Sequence, residues 1–233
     1  STTRFGIQVG ATNTAPQLGT AIAEVVATED AELQFTIPAN AFTDANTGDR
    51  LRYGATLADG TPLPSWIVLD PVTGTFTGLP TNAAVGTFSV RVTATDISGA
   101  SANRTFALRV VNTNDAPTAT AALESYFIAE DSPFSYQIPA GLFSDGDAGD
   151  TLTLSASLAD GSQLPAWLAF NPITRIFSGA PDNGDTGTIE VRVTARDPSS
   201  AATAQSFYLF ISGTNDAPVV RTPLPQQSAG REF

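Results

Sequence analysis

The sequence predicts an all-β protein built as two tandem β-sandwiches of about seven antiparallel strands each. Three observations carry this. The 233-residue chain falls on itself when shifted by 101 positions. Apolar residues alternate with period two in short runs, and no 11-residue window shows a helical apolar period. Turn residues punctuate those runs at short intervals.

The repeat fixes the organisation. Ile37-Pro38-Ala39 meets Ile138-Pro139-Ala140, and Leu57-Ala58-Asp59-Gly60 meets Leu158-Ala159-Asp160-Gly161. Leu63-Pro64 and Trp66 meet Leu164-Pro165 and Trp167. Val90 to Ala94 meets Val191 to Ala195, and Asn114 to Pro117 meets Asn215 to Pro218. About 42 of the 101 positions compared are identical, without a gap. Phe5 to Pro16 falls on Phe106 to Pro117, so the chain is expected to open on the last strand of a preceding unit. The expected domains are 16–116 and 117–217. Residues 1–15 are expected to end a preceding repeat, and 218–233 to begin a following one.

Within one unit the strands are expected near positions 23, 35, 54, 68, 76, 91 and 107. Phe88, Val90, Val92 and Ala94 alternate with Ser89, Arg91, Thr93 and Thr95. Phe106, Leu108 and Val110 alternate with Ala107, Arg109 and Val111. β-Branched and aromatic residues suit such a half-buried pleated surface. Asp59-Gly60, Pro71 with Thr73-Gly74, Pro80 to Asn82 and Ser98-Gly99 mark the turns. Ile37-Pro38-Ala39 and Phe42 are expected in an irregular turn. Seven short strands in about 100 residues read as an immunoglobulin-like sandwich, large enough to bury its own core.

Composition removes much chemistry. There are 23 acidic residues against 11 basic ones, for a net charge of −12, and all of the bases are arginine. Without Cys, His or Lys there is no zinc, haem or iron–sulfur site of the usual kind, no Ser-His triad and no Schiff-base lysine. The sign of the charge disfavours nucleic acid and anionic membranes as partners. No apolar run approaches the roughly 20 residues of a membrane helix. Oxygen ligands remain, and they suit calcium or magnesium.

Four motifs recur in fixed order: Asn-Thr-Asn-Asp-Ala-Pro, Phe-x-Asp-x-(Asp/Asn)-x-Gly-Asp, Leu-Pro-x-Trp-(Ile/Leu) and Phe-(Thr/Ser)-Gly-x-Pro-x-Asn. With them the whole chain resembles the bacterial dystroglycan-type cadherin-like repeats, relatives of immunoglobulin-like domains strung in tandem in large secreted surface proteins. The resemblance implies sandwiches stiffened by calcium at their joints, working in adhesion or as accessory modules of carbohydrate-active proteins. The acidic Leu-Asp-Arg-Glu segment of true cadherins is absent, so the number and affinity of calcium sites do not carry over.

Acidic clusters recur in each unit: Glu29-Asp30 and Glu130-Asp131; Asp44, Asn46, Asp49 and Asp145, Asp147, Asp150; Asp96 and Asp197. By the resemblance, the central joint gathers Glu29, Asn114, Asp115, Asp145, Asp147 and Asp197. Two carboxylates at about 4 Å repel by about 1 kcal/mol in bulk water and about 4 at an effective dielectric of 20. Calcium takes 6–8 oxygens from carboxylates, amides and carbonyls, whereas magnesium wants a tight octahedron with retained water. The bland alternative is that these residues only cap turns. Asp145 to Asp150 is not an EF-hand, since its twelfth position is Ala156.

The preceding linker reads Asn13-Thr14 where the others read Asn-Asp, and Asn46 stands where the second unit has Asp147. The expectation is a weak or absent site from Asn13, Asp44, Asn46 and Asp96. A half-formed one is expected from Glu130, Asn215 and Asp216.

Rival readings are a glycosidase carboxylate pair and a recognition surface. Catalysis is set aside because the acids repeat in both units and follow the linkers. Trp66 and Trp167 are expected in the cores, at one place in both repeats. Tyr126, Phe127, Tyr136 and Tyr208 lack aromatic counterparts in the first unit, except Phe35 for Tyr136, so exposed ones would mark a unit-specific surface. The sequon Asn103-Arg104-Thr105 is read as coincidence. Arg4–Val9 is expected to be disordered or to add to a neighbouring sheet edge. The functional expectation is a calcium-stiffened extender or adhesion module of a secreted or surface bacterial adhesin. The alternative is a carbohydrate- or protein-binding accessory module. Partners would be neighbouring repeats and a homophilic, glycan or cell-surface protein ligand, outside the cell.

Overall fold

The computed structural model describes residues 12–46 and 48–218. The expectations for Arg4–Val9 and for the tail after Pro218 lie outside them. Two compact units are present. Among the described residues, the first takes those up to Asp115 with Gly146–Ala148, and the second takes Ala116–Asp145 and those from Gly149.

In the first unit, β2 (Val25–Thr28), β9 (Ser101–Val111), β8 (Gly86–Thr95) and β5 (Arg52–Leu57) form one sheet in that order. A second sheet holds β3 (Leu33–Thr36), β7 (Thr75–Gly78) and β6 (Ile67–Leu69). The second unit repeats both. Its first sheet runs β11 (Tyr126–Ala129), β18 (Ala202–Ser212), β17 (Gly187–Arg196) and β14 (Thr153–Leu158). Its second sheet runs β12 (Phe134–Gln137), β16 (Ile176–Gly179) and β15 (Leu168–Asn171).

Two features differ from the sequence reading. β2 and β11 pair in parallel with β9 and β18, while the other pairings are antiparallel. Residue alternation sets which face a side chain takes but carries no information on strand direction. Phe42, expected in an irregular turn, lies in a short strand. β4 (Phe42–Thr43) pairs with β1 (Gln17–Leu18), as β13 (Phe143–Ser144) pairs with β10 (Thr118–Ala119). Two residues are too few to display a period.

The alternation places Val90, Val92 and Ala94 in the first core and Val191, Val193 and Ala195 in the second, all essentially inaccessible. Aromatic rings join the two sheets of each unit. Phe76 meets Phe106 edge-on at 5.8 Å, and Phe177 meets Phe207 at 5.4 Å. Each such side chain contributes about 1.5–3 kcal/mol by burial. Trp66 packs against the first core, edge-on to Phe88, and Trp167 packs against the second. The glycine of Phe-(Thr/Ser)-Gly is required by close approach: a Cβ on Gly78 or Gly179 would collide with the carbonyl of Trp66 or Trp167.

Candidate cation sites

The acids of interest sit where a core-facing register runs past the end of the core. On β2 and the residue after it, Val25, Ala27 and Glu29 share one face, and Glu29 is only 1% exposed. On β8 and beyond, Val90, Val92, Ala94 and Asp96 share one face, and Asp96 is 6% exposed. Glu130 and Asp197 repeat both placements in the second unit. A carboxylate held at such a position must be hydrogen-bonded or balanced by a counter-charge.

Glu29 is fixed by the backbone on both sides. Its N–H donates to the Val111 carbonyl (3.1 Å), extending the parallel ladder, and Asp30 turns into the left-handed region at φ 54°. Asp tolerates that conformation better than most residues. The Asp30 N–H then donates to the Pro80 carbonyl (2.9 Å). One oxygen of Glu29, Oε1, accepts the Thr113 N–H at 2.7 Å. The other, Oε2, is buried without a hydrogen-bond partner. Beside it, the Asp115 N–H donates to Asp147 Oδ2 (2.8 Å), and the Asn82 amide donates to Asp115 Oδ2. The Asn114 side-chain amide donates to the Asp115 carbonyl (2.8 Å). Glu29, Asp115 and Asp147 each bring one oxygen within 4.8 Å of the others. On the loop itself, Asp145, Asp147 and Asp150 do the same.

The cluster at the preceding linker lies wholly in the first unit. Asp44, Asp49 and Asp96 bring oxygens within 4.8 Å of one another. Asp96 Oδ1 accepts the Ser98 and Ala100 N–H groups, both at 2.9 Å, and Oδ2 accepts the Asn13 amide at 2.9 Å. The Asn13 hydrogen bond, with those from the loop backbone, holds the Asp96 carboxyl below its ordinary range. Burial, then the charges of Asp44 and Asp96, push Asp49 up. Asp44 Oδ2 and Asp49 Oδ2 are buried without hydrogen-bond partners. The two residues that depart from the other linker meet each other here. Asn46 Oδ1 accepts both the Thr14 N–H (2.9 Å) and the Thr14 hydroxyl (2.7 Å), and its amide donates to the Thr12 carbonyl (3.2 Å).

In the second unit Glu130 copies Glu29: Oε1 accepts the Thr214 N–H at 2.6 Å and Oε2 is buried without a partner. The Asn183 amide donates to Asp216, as Asn82 does to Asp115. Asn215 is exposed beside it. Asp197 Oδ1 accepts the Ala201 N–H at 2.8 Å, and among the described residues Asp197 belongs to none of the three-acid groups. Sequence reasoning did not select Asn82 and Asn183 as site residues. Their recurrence at the 101-residue shift, inside the Pro-x-Asn motif, is the signal that marks them.

The profile of the family described as "Putative Ig domain" matches residues 15–111 and again 116–212. No curated protein matches the chain in sequence. Among solved structures, Drosophila N-cadherin EC1-4 superposes with a TM-score of 0.59 at 19% identity, over 86% of this chain and 50% of that one. Human CDH23 EC21-23 gives 0.54 at 19% identity, over 84% of this chain and 70% of that one. Mouse Cadherin-23 EC22-24 gives 0.53 at 16% identity, over 87% and 65%. The chain thus spans half the length of the N-cadherin piece. At these identities the likeness is one of fold.

Proposed function

Since the chain belongs to the Putative Ig domain family through two consecutive domains, we propose that it is an extender and adhesion module of a large secreted or surface bacterial protein, with calcium holding successive repeats in a fixed orientation. The observation that carries the reading is Glu29 Oε2, a fully buried carboxylate oxygen with no hydrogen-bond partner, in a cluster with Asp115 and Asp147. Leaving such an oxygen unsatisfied costs several kcal/mol, on the order of what an ionic partner returns. An all-oxygen donor set fits calcium better than a transition metal.

Glu29, Asp115 and Asp147 would hold the ion. Asp145, Asn114 and Asp197 would complete the set, and Asp150 joins Asp145 and Asp147 on the same loop. Calcium would supply charge compensation and a rigid cross-link. The chain's own contribution is preorganisation. The Thr113 N–H orients Glu29, and the Asn82 amide orients Asp115. The Asp115 N–H ties the linker backbone to Asp147. Extracellular modules of this kind bind calcium at about 10⁻⁴–10⁻³ M, so the stiffening follows external calcium. No catalytic role is part of this reading.

Small-angle scattering and thermal melting, each with calcium and with chelator, test it. The proposal expects a narrower, more extended shape and a higher Tm with calcium. Identical shape and Tm in both conditions would remove it.

A further inference from the structure

The second repeat carries an aromatic strip on its outer sheet face that the first repeat lacks. Phe127 on β11 and Phe210 on β18 are register partners, and their rings stack at 4.6 Å and 18°. Tyr208, two residues along the same face of β18, lies 6.1 Å from Phe210 at 26°. Phe127 is 83% exposed and Tyr208 is 44% exposed. At the matched positions the first repeat has Val26, Ala107 and Arg109, and there Arg109 pairs with Glu24 at 3.3 Å. The fold therefore does not need aromatic rings on this face. A contiguous exposed apolar cluster is a feature of interaction surfaces.

The neighbours of the strip select the ligand. Thr188 lies across from Phe210, and Glu190 lies across from Tyr208, both on β17. An open hollow of about 460 Å³ runs over Phe127, Thr188 and Phe210. The stacked rings offer their exposed apolar surface, most of it at Phe127, while the carboxylate, hydroxyl and phenol offer hydrogen-bonding groups beside them. A dry protein interface over the strip would also have to desolvate Glu190 beside Tyr208, and charged residues are depleted from interface cores. A hydrated ligand with many hydroxyls and apolar C–H faces satisfies both halves of the surface. Glu190, on a chain of net charge −12, repels an anionic ligand. We propose that the Phe127–Phe210–Tyr208 face binds a neutral polysaccharide chain, with the exposed ring surface packing against sugar C–H groups and Glu190 and Thr188 taking hydroxyl hydrogen bonds. This site is separate from the cation clusters and does not depend on calcium.

Affinity gel electrophoresis of the whole chain tests this, in gels holding hydroxyethyl cellulose, laminarin or galactomannan as neutral probes and alginate as the anionic one, all with chelator. The comparison protein is Phe127→Val/Tyr208→Ala/Phe210→Arg, which installs the residues of the first repeat. Phe127→Val alone serves as a second variant at a nearly fully exposed position. The expected result is retardation by at least one neutral polysaccharide and none by alginate. The triple variant should bind at least tenfold more weakly with an unchanged melting curve, and Phe127→Val severalfold more weakly. Three results would overturn the proposal: no retardation by any neutral probe, retardation that survives the triple variant, or stronger retardation by alginate. A fourth is a concentration-dependent dimer in sedimentation that the triple variant abolishes, which would assign the strip to a second copy of the chain.

Discussion

The acid clusters at the two linkers share one scaffold and differ in how they handle charge. At the preceding linker the Thr14 N–H donates to Asn46, and at the central one the Asp115 N–H donates to Asp147. The backbone geometry is the same, but an amide accepts in one and a carboxylate in the other. Where Asn46 accepts, the Thr14 hydroxyl donates to the same oxygen and the amide finds the Thr12 carbonyl. Asn13 adds a donor to Asp96. Neutral partners thus take up part of the hydrogen-bonding capacity of that cluster, while Asp44 Oδ2 and Asp49 Oδ2 stay buried without hydrogen-bond partners. Where Asp147 accepts, four more carboxylates bring an oxygen within 4.8 Å, Glu29 and Asp115 in one group and Asp145 and Asp150 in the other, and Glu29 Oε2 is buried without a hydrogen-bond partner. The difference teaches that Thr14 and Asn46 satisfy each other's polar groups at the preceding linker, whereas the matched Asp115 and Asp147 bring two carboxylates together at the central one.

The comparison breaks most visibly at Asp147. In 10 mM calcium, a site at the tight end of the range for extracellular modules is about 100-fold above its Kd and stabilises by about 2.7 kcal/mol. For domains of this size that moves Tm by on the order of 10 °C. Asp147→Asn copies Asn46, keeps the hydrogen bond from Asp115 and is expected to abolish the shift, measured by melting with calcium and with chelator. Glu29→Gln should do the same while keeping the Thr113 hydrogen bond.

The reverse exchange is the next largest effect. Thr14→Asp with Asn46→Asp gives the preceding linker the charge of the central one. Calorimetry should then count one more calcium per chain, and in chelator the variant should melt below the parent because of added repulsion. Asn82→Ala should weaken calcium binding by about tenfold or less, since it removes one hydrogen bond worth about 0.5–1.5 kcal/mol that orients Asp115. A titration of that variant reads the change.

The smallest effect is a pH dependence. In the folded chain Asp49 titrates above its ordinary 3.8, so its ionised form opposes folding. That penalty is present at neutral pH and fades as pH falls through the raised pKa toward 3.8. Asp96 has the opposite sign. Its lowered pKa contributes stability above 3.8 that is lost as pH falls through the folded value. In chelator, Asp49→Asn is therefore expected to melt above the parent at pH 7, with the gap closing toward pH 4. A gap that widened on acidification would contradict the assignment.

Much of this was readable beforehand, for identifiable reasons. The repeat register is a property of the letters alone, and it made the contrast between Asn13-Thr14 and Asn114-Asp115 visible. Glu29 and Asp96 announce themselves by standing at the end of an apolar alternation, where Ala27 and Ala94 precede them by two. The parallel entry of β2 onto β9 was hidden, because pairing direction depends on where the chain comes from and not on side-chain period. The β1–β4 ribbon was hidden by its length. Asn82 was hidden because asparagine after proline reads as a turn former, and only the fold brings it to Asp115. The aromatic strip was half visible: the sequence marked Phe127 and Tyr208 as specific to one unit, but strand register was needed to stack them with Phe210.

The most direct measurement is isothermal titration of calcium into the parent chain and into Asp147→Asn. The parent should show one dominant site, and the variant should lose its heat while keeping its fold by circular dichroism. Two or more equally tight sites in the parent, or a dominant site untouched by Asp147→Asn, would contradict the assignment of calcium to the Glu29–Asp115–Asp147 cluster.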